Sequence, residues 1–135
     1  MRQIKFRAFF RDNKEMVKVG AMDWDEKGNL ICLNYPKGKD YFNSDSEDDN
    51  DIVLMQYTGC KDKNGQEIYE GDVVEFYGEL FEVMWLLSGF YISNIAGGGF
   101  EEVATNGGDM RVVGNIYENR ELLIRTADID EVENY

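Results

Sequence analysis

The chain reads as a mainly β protein, a β-rich α+β fold arranged as a small SH3-like barrel or meander with a short C-terminal helix. Three observations carry that expectation. Short runs alternate apolar and polar residues with period two, turn residues punctuate them at close spacing, and neither a heptad nor a 20 to 50 residue repeat occurs. The 135 residues suit a single domain, 1–135. Its expected parts are an N-terminal β subdomain over 1–35, an acidic mobile loop over 36–51, a barrel-like core over 52–117, and a helix with an acidic tail over 118–135.

In residues 4–10, IKFRAFF, Ile4, Phe6, Ala8 and Phe10 share one face and Lys5 and Arg7 the other, as in a half-buried strand. Arg11 to Lys14 turns the chain and Met16 to Val19 returns it. Met22 to Trp24 and Leu30 to Leu33 flank Asp25-Glu26-Lys27-Gly28 as a second hairpin. Pro36 to Asp51 holds the only proline and the acidic run Asp45 to Asp51. With little to bury, it is expected to stay mobile. Ile52 to Tyr57 resumes as a strand, and Asn64-Gly65 has the composition of a two-residue hairpin turn with positive φ at both positions.

Beyond Gly71-Asp72, Val74 and Phe76 are expected on one face, Gly78 turns, and Phe81, Val83 and Trp85 face inward with Glu82 outward. Phe90 to Asn94 adds a strand, the three glycines from Gly97 form a connector, and Met110 to Tyr117 closes back on the core. Several short strands joined by glycine-bearing turns suit a small barrel. Glu118 to Arg125 has a helical pattern, with Glu121 near its start and Arg125 near its end suiting the helix dipole. The acidic tail from Ala127 is expected to fray.

Two stretches, MQYTGCKDKNGQEIYEGDVVEF from Met55 and GNIYENRELL from Gly114, together with IKFRAFF, resemble the YopX-like proteins of bacteriophages and prophages. Arg120 stands where that resemblance implies a proline. The resemblance implies a phage-associated accessory protein in the host cytoplasm, forming oligomers, with no assigned biochemical role.

Net charge is −13, and its distribution is uneven. Residues 1–63 carry 11 Lys and Arg against 12 acids, whereas residues 64–135 carry 3 against 15. No basic residue occurs between Gln66 and Met110, so this half projects a negative field that disfavours direct nucleic-acid binding and anionic lipid. Neither a signal peptide nor a membrane-length apolar run is read, and the two cysteines, Cys32 and Cys60, lie outside any metal-ligand spacing.

Histidine is absent, which removes the commonest general base and zinc ligand. Asp45, Glu47, Asp49 and Asp51 are weak metal candidates. A calcium loop starting at Asp45 would place Asn50 at its glycine position and Gln56 at its bidentate glutamate. No catalytic residue or cofactor site is assigned. Gly97 to Gly99 lacks the lysine and Ser/Thr register of a phosphate loop. Glu70 with Asp72 leaves a carboxylate-dependent or metal-dependent enzyme as a remote alternative. The aromatic residues Phe76, Phe81, Trp85, Phe90 and Tyr91 are expected mostly in the core.

The expected mode of action is protein binding and self-association. Glu75, Glu79, Glu82, Glu101 and Glu102 are the acidic candidates, and the basic strand with Lys5, Arg7 and Arg11 is placed against the acidic half of a second copy. The alternatives are an acidic nucleic-acid mimic that occupies a host DNA-binding protein, and nucleic-acid contact through that basic strand.

Overall fold

The computed structural model describes residues 3–37, 40–45, 52–86 and 88–123, and the chain divides into two compact units, residues 3–56 and residues 57–135 with residues 1–2. The fold is predominantly β.

In residues 3–56, β1 (Phe6–Phe10) and β2 (Glu15–Lys18) form an antiparallel hairpin with Ala8 opposite Val17. β3 (Ala21–Trp24), β4 (Leu30–Lys37) and β5 (Asp40–Asp45) form a three-stranded sheet in chain order. β6 (Ile52–Lys61) contributes Ile52 to Gln56 as the partner of β1 on its other side. Ala8, Val17 and Leu33 are the buried centre, with Phe10, Met22, Tyr35 and Leu54 half-buried around them. β1 is the middle strand between β2 and β6, and Ala8 and Phe9, which point to its opposite faces, are both buried.

The turn between β3 and β4 is organised by Asp25. Its carboxylate accepts N–H bonds from Lys27 at 2.9 Å and Asn29 at 2.8 Å, and Gly28 takes the left-handed conformation with φ +85°. The Asn29 N–H, above all, holds the Asp25 carboxyl below its ordinary pKa.

The interruption expected over 36–51 is corrected over its first part. Pro36 lies opposite Tyr41 and Lys37 opposite Asp40, so residues 40–45 form a strand and not a loop. A proline is tolerated in β4 because pairing with β3 ends at Asn34, which leaves Pro36 with one neighbouring strand. Residues 46–51 of the expected loop lie outside the described residues.

In residues 57–135, the Tyr57 to Lys61 half of β6 pairs with β7 (Glu67–Tyr69). A five-stranded antiparallel sheet contains β8 (Asp72–Phe76), β9 (Glu79–Leu86), β10 (Gly89–Asn94), β11 (Phe100–Glu102) and β12 (Arg111–Asn115), in the spatial order β11-β10-β9-β8-β12. The sheet is open, with β11 and β12 as its edges. One helical turn, α1 (Val103–Asn106), runs into a 3-10 turn at Gly107–Asp109, and a second 3-10 turn, Arg120–Leu123, is the short C-terminal helix. The core comprises Ile68, Val74, Phe76, Phe81, Val83, Ile92, Val103 and Met110. Full burial of each such side chain stabilises by about 1.5–3 kcal/mol before entropy is charged against it.

Candidate functional site

Thr58 donates its hydroxyl to the Ile68 carbonyl at 2.7 Å and accepts the Cys60 N–H at 3.2 Å, and Gly59 has φ +87°. These residues build the bulge that interrupts β6–β7 pairing between Tyr57 and Lys61. Asp62 is 6% exposed. One carboxylate oxygen accepts from the Asn64 and Gln66 N–H groups, both at 2.8 Å, and the other accepts from the Val112 N–H at 2.9 Å. Burial pushes this carboxyl up, but the three N–H donors outweigh it and the net pKa is lowered.

Asn64-Gly65 corrects the two-residue turn reading. Gly65 has φ +83°, whereas Asn64 is not left-handed, because Asp62 holds both flanking N–H groups and shapes a three-residue turn with a glycine bulge. Asp25 to Asn29 repeats the same construction. The hairpin with positive φ at both turn residues is instead Tyr77-Gly78, at +52° and +79°, between β8 and β9.

Gly71 donates to the Val83 carbonyl and accepts from the Ile116 N–H, both at 2.9 Å. Asp72, 2% exposed, accepts from the Tyr69 N–H at 2.7 Å. In the second stretch, Asn115 accepts from Tyr117 and Glu118 N–H groups at 3.0 and 2.8 Å, and Asn119 accepts from the Asn115 N–H at 3.1 Å. A Cβ on Gly114 would lie 2.6 Å from Asn119 Oδ1, so glycine is required there unless Asn119 moves. The conspicuous motifs are therefore scaffold. Their polar atoms are engaged by backbone groups of the same fold.

The acidic candidates separate. Glu75 is cross-strand to Arg111, with its Oε2 3.0 Å from Arg111 Nη2. Such a half-exposed pair contributes little to stability. Glu82 is half-buried, not outward in open solvent, and burial raises its pKa. Glu79, Glu101 and Glu102 are exposed. Glu102 accepts the Thr105 hydroxyl at 3.1 Å, and Glu79 accepts from Asn94 Nδ2 at 3.2 Å.

Among the basic candidates, Arg11 is exposed, whereas Lys5 and Arg7 are half-buried and Phe9 is buried. The three basic side chains are therefore not one open face. Of the weak metal candidates, Asp45 ends β5, and Glu47, Asp49 and Asp51 lie outside the described residues. Among the described residues no group of acids and thiols is arranged to hold a metal ion, and no helix is long and apolar enough to cross a membrane. Cys32 and Cys60 are free, half-buried thiols.

The aromatic expectation also needs correction at Trp85. Phe76, Phe81 and Val83 are buried, but Trp85 is 50% exposed and meets Phe90 edge-on at 4.8 Å. Two further aromatics of residues 57–135, which the alternation does not place in the core, are exposed, Tyr77 at 81% and Phe100 at 60%. They line an open groove of about 290 Å³ together with Phe76, Phe81, Glu79, Asn94 and Glu101, floored by Gly98 and Gly99. Tyrosine before glycine at a hairpin turn is the sequence signal that marks it, since a bulky side chain at positive φ is not chosen for turn formation.

A family profile described as YopX protein matches residues 5–124. The chain belongs to the YopX family. Two solved structures carry the same fold. Protein EF1440 from Enterococcus faecalis is 27% identical, with TM-score 0.65 over 91% of this chain and 99% of that one. Protein yopX from Bacillus subtilis is 16% identical, with TM-score 0.66 over 91% and 97% of the respective chains. A comparison with curated proteins finds no match. The two stretches that carry the resemblance hold the residues just described as turn, bulge and strand anchors of this chain.

Proposed function

We propose that this YopX-family chain is a phage- or prophage-associated accessory protein that works by binding protein partners through the acidic face of residues 57–135. The observation that carries the reading is the group Glu79, Glu101 and Glu102, exposed beside the exposed rings of Tyr77 and Phe100, in a stretch with no basic residue from Gln66 to Met110. A desolvated aromatic centre with charged surroundings is the usual build of a protein-binding patch. The open five-stranded sheet serves as an SH3-like framework that presents this patch. Self-association is the homotypic form of the same reading, with the exposed Arg11 of one copy as the basic contact. No catalytic step forms part of the proposal. Nucleic-acid mimicry would call on Glu75 and Glu82 as well, and the Arg111 partner of the first and the half-burial of the second weigh against it.

Affinity capture from bacterial lysate at low and moderate salt, with wild type beside a Glu101→Lys, Glu102→Lys double variant, tests the reading. A basic protein retained by wild type, released by salt and lost with the double variant supports it. Capture that is unchanged in the double variant would refute it.

A further inference from the structure

We propose that the groove beside the Tyr77-Gly78 turn receives one arginine or lysine side chain from an extended segment of a different, partner protein that lies along the open edge of β11. This deepens the partner-binding reading and rests on it, naming the chemistry of the residue recognised.

Tyr77 is the first observation. It sits at φ +52° and is 81% exposed, so neither turn formation nor core packing accounts for a tyrosine there. Asparagine or glycine would make the same turn with less strain. Its ring meets Phe76 edge-on at a centroid distance of 4.4 Å, which gives an exposed side chain a defined rest position. Strain kept at an exposed aromatic points to a surface role.

The walls supply complementary chemistry. Phe100 and Glu101 line the groove from β11, and Glu79, at the start of β9, is its oriented carboxylate. Glu79 is oriented by Asn94, whose Nδ2 donates to it at 3.2 Å. Asn94 is itself fixed, since its Oδ1 accepts the Ala96 N–H at 2.9 Å and its own N–H donates to the Gly99 carbonyl at 3.3 Å. Among the described residues no Lys or Arg lines the groove. Aromatic faces with carboxylates attract a cation, and a planar guanidinium both stacks on a ring and forks to a carboxylate. The groove's volume, about 290 Å³, is at the small end of ligand sites and accommodates a single long side chain.

The edge supplies the path. Phe100, Glu101 and Glu102 are all exposed, and among the described residues β11 pairs only with β10, so its outer side is available to an added strand. Gly97, Gly98 and Gly99 have φ of +136°, +67° and +91°, and a Cβ at any of them would meet nothing within 4 Å. The approach to the groove is therefore open backbone. The adjacent Glu101 and Glu102 favour a basic segment over an acidic one.

The test is an amide NMR titration of the ¹⁵N-labelled chain with a capped peptide alternating valine and arginine, its lysine counterpart, and one with neutral citrulline in place of arginine. Binding of the charged peptides should shift the amides of Tyr77, Glu79, Phe100 and Glu101, with the citrulline peptide about tenfold weaker or more. Tyr77→Asn, which keeps the turn, and Phe100→Ala should each weaken binding about threefold to tenfold. Glu79→Gln should weaken it and flatten its salt dependence, whereas Glu121→Gln, on the exposed 3-10 turn, should leave it unchanged. Shifts confined elsewhere, equal binding of citrulline peptide, or groove variants that bind as wild type would overturn the proposal. Concentration-dependent shifts at the groove without peptide would put a second copy there and overturn it as well. If the Glu101, Glu102 double variant loses lysate capture while the groove variants retain it, the partner-binding reading stands and the groove assignment falls.

Discussion

Replacing Asp62 by asparagine should destabilise residues 57–135 by about 2–3 kcal/mol, through the loss of one charge-assisted bond and the stranding of a backbone donor. Asparagine retains an oxygen for the Asn64 and Gln66 N–H groups, 2.8 Å away in each case, but places its NH₂ against the Val112 N–H that now donates to Oδ2 at 2.9 Å. Asp62→Ala strands all three donors and should cost about 3–5 kcal/mol, less than three full bonds because the turn's donors regain water. Asp25 provides an internal reference, since it organises the same type of turn in the exposed β3–β4 hairpin without an anchor to a distant strand. Asp25→Asn should therefore produce a much smaller change. Urea unfolding at pH 7 measures the difference, followed by Trp85 in a Trp24→Phe background for Asp62→Asn and by Trp24 in a Trp85→Phe background for Asp25→Asn. Its pH dependence has a defined sign. The folded pKa of Asp62 lies below the ordinary 3.8, so its contribution is complete above that value and is lost as pH falls through the depressed folded value. Wild type and Asp62→Asn should converge in acid. A loss under about 0.5 kcal/mol, or one equal to that of Asp25→Asn, would refute the claim that Asp62 ties its turn to β12.

Gly114→Ala should cost about 1–3 kcal/mol, because its Cβ would lie 2.6 Å from Asn119 Oδ1 and 2.9 Å from Leu122 Cδ1, and the unfolding midpoint checks it. Tyr77→Asn should raise stability by up to about 1 kcal/mol by relieving positive φ, as thermal unfolding would show, while weakening peptide binding. Glu82→Gln should stabilise at neutral pH, with a gain that shrinks as pH falls through the raised folded value and is gone below the ordinary glutamate pKa of 4.5. The raised folded pKa means that the folded state binds more protons, so wild-type stability declines as pH rises from the unfolded to the folded value, and parallel unfolding curves at pH 4 and 7 measure it.

The strands were legible wherever alternation and turn chemistry agreed. Phe6–Phe10, the hairpin around Asp25 to Gly28, and the run from Asp72 through Asn94 all appear where the pattern places them. What escaped the pattern depends on contacts remote in sequence. Asn64-Gly65 has the composition of one turn type, but a carboxylate two residues upstream selects another, and that carboxylate is fixed by Val112, 50 residues away. Residues 40–45 look too polar to order themselves, yet the backbone ladder to β4 holds them in a strand. Trp85 follows Phe81 and Val83 in the inward phase, but it lies near the end of β9 and is half exposed. Composition located the acidic half, whereas pairing across β8 and β12 decided that Glu75 would meet Arg111. The groove was least legible, because Tyr77 and Phe100 are distant in sequence and converge through the order of β8 to β11.

The central claim is a division of labour, in which the turn and bulge residues around Asp62 and Asn115 build the fold and the acidic aromatic face binds. Stability and lysate capture should therefore be measured together on Asp62→Asn and on the Glu101→Lys, Glu102→Lys double variant, at a temperature where both are folded. The account predicts that Asp62→Asn loses stability and keeps capture, while the double variant keeps stability and loses capture. Loss of capture by a folded Asp62→Asn, with the double variant still capturing as wild type, would contradict it.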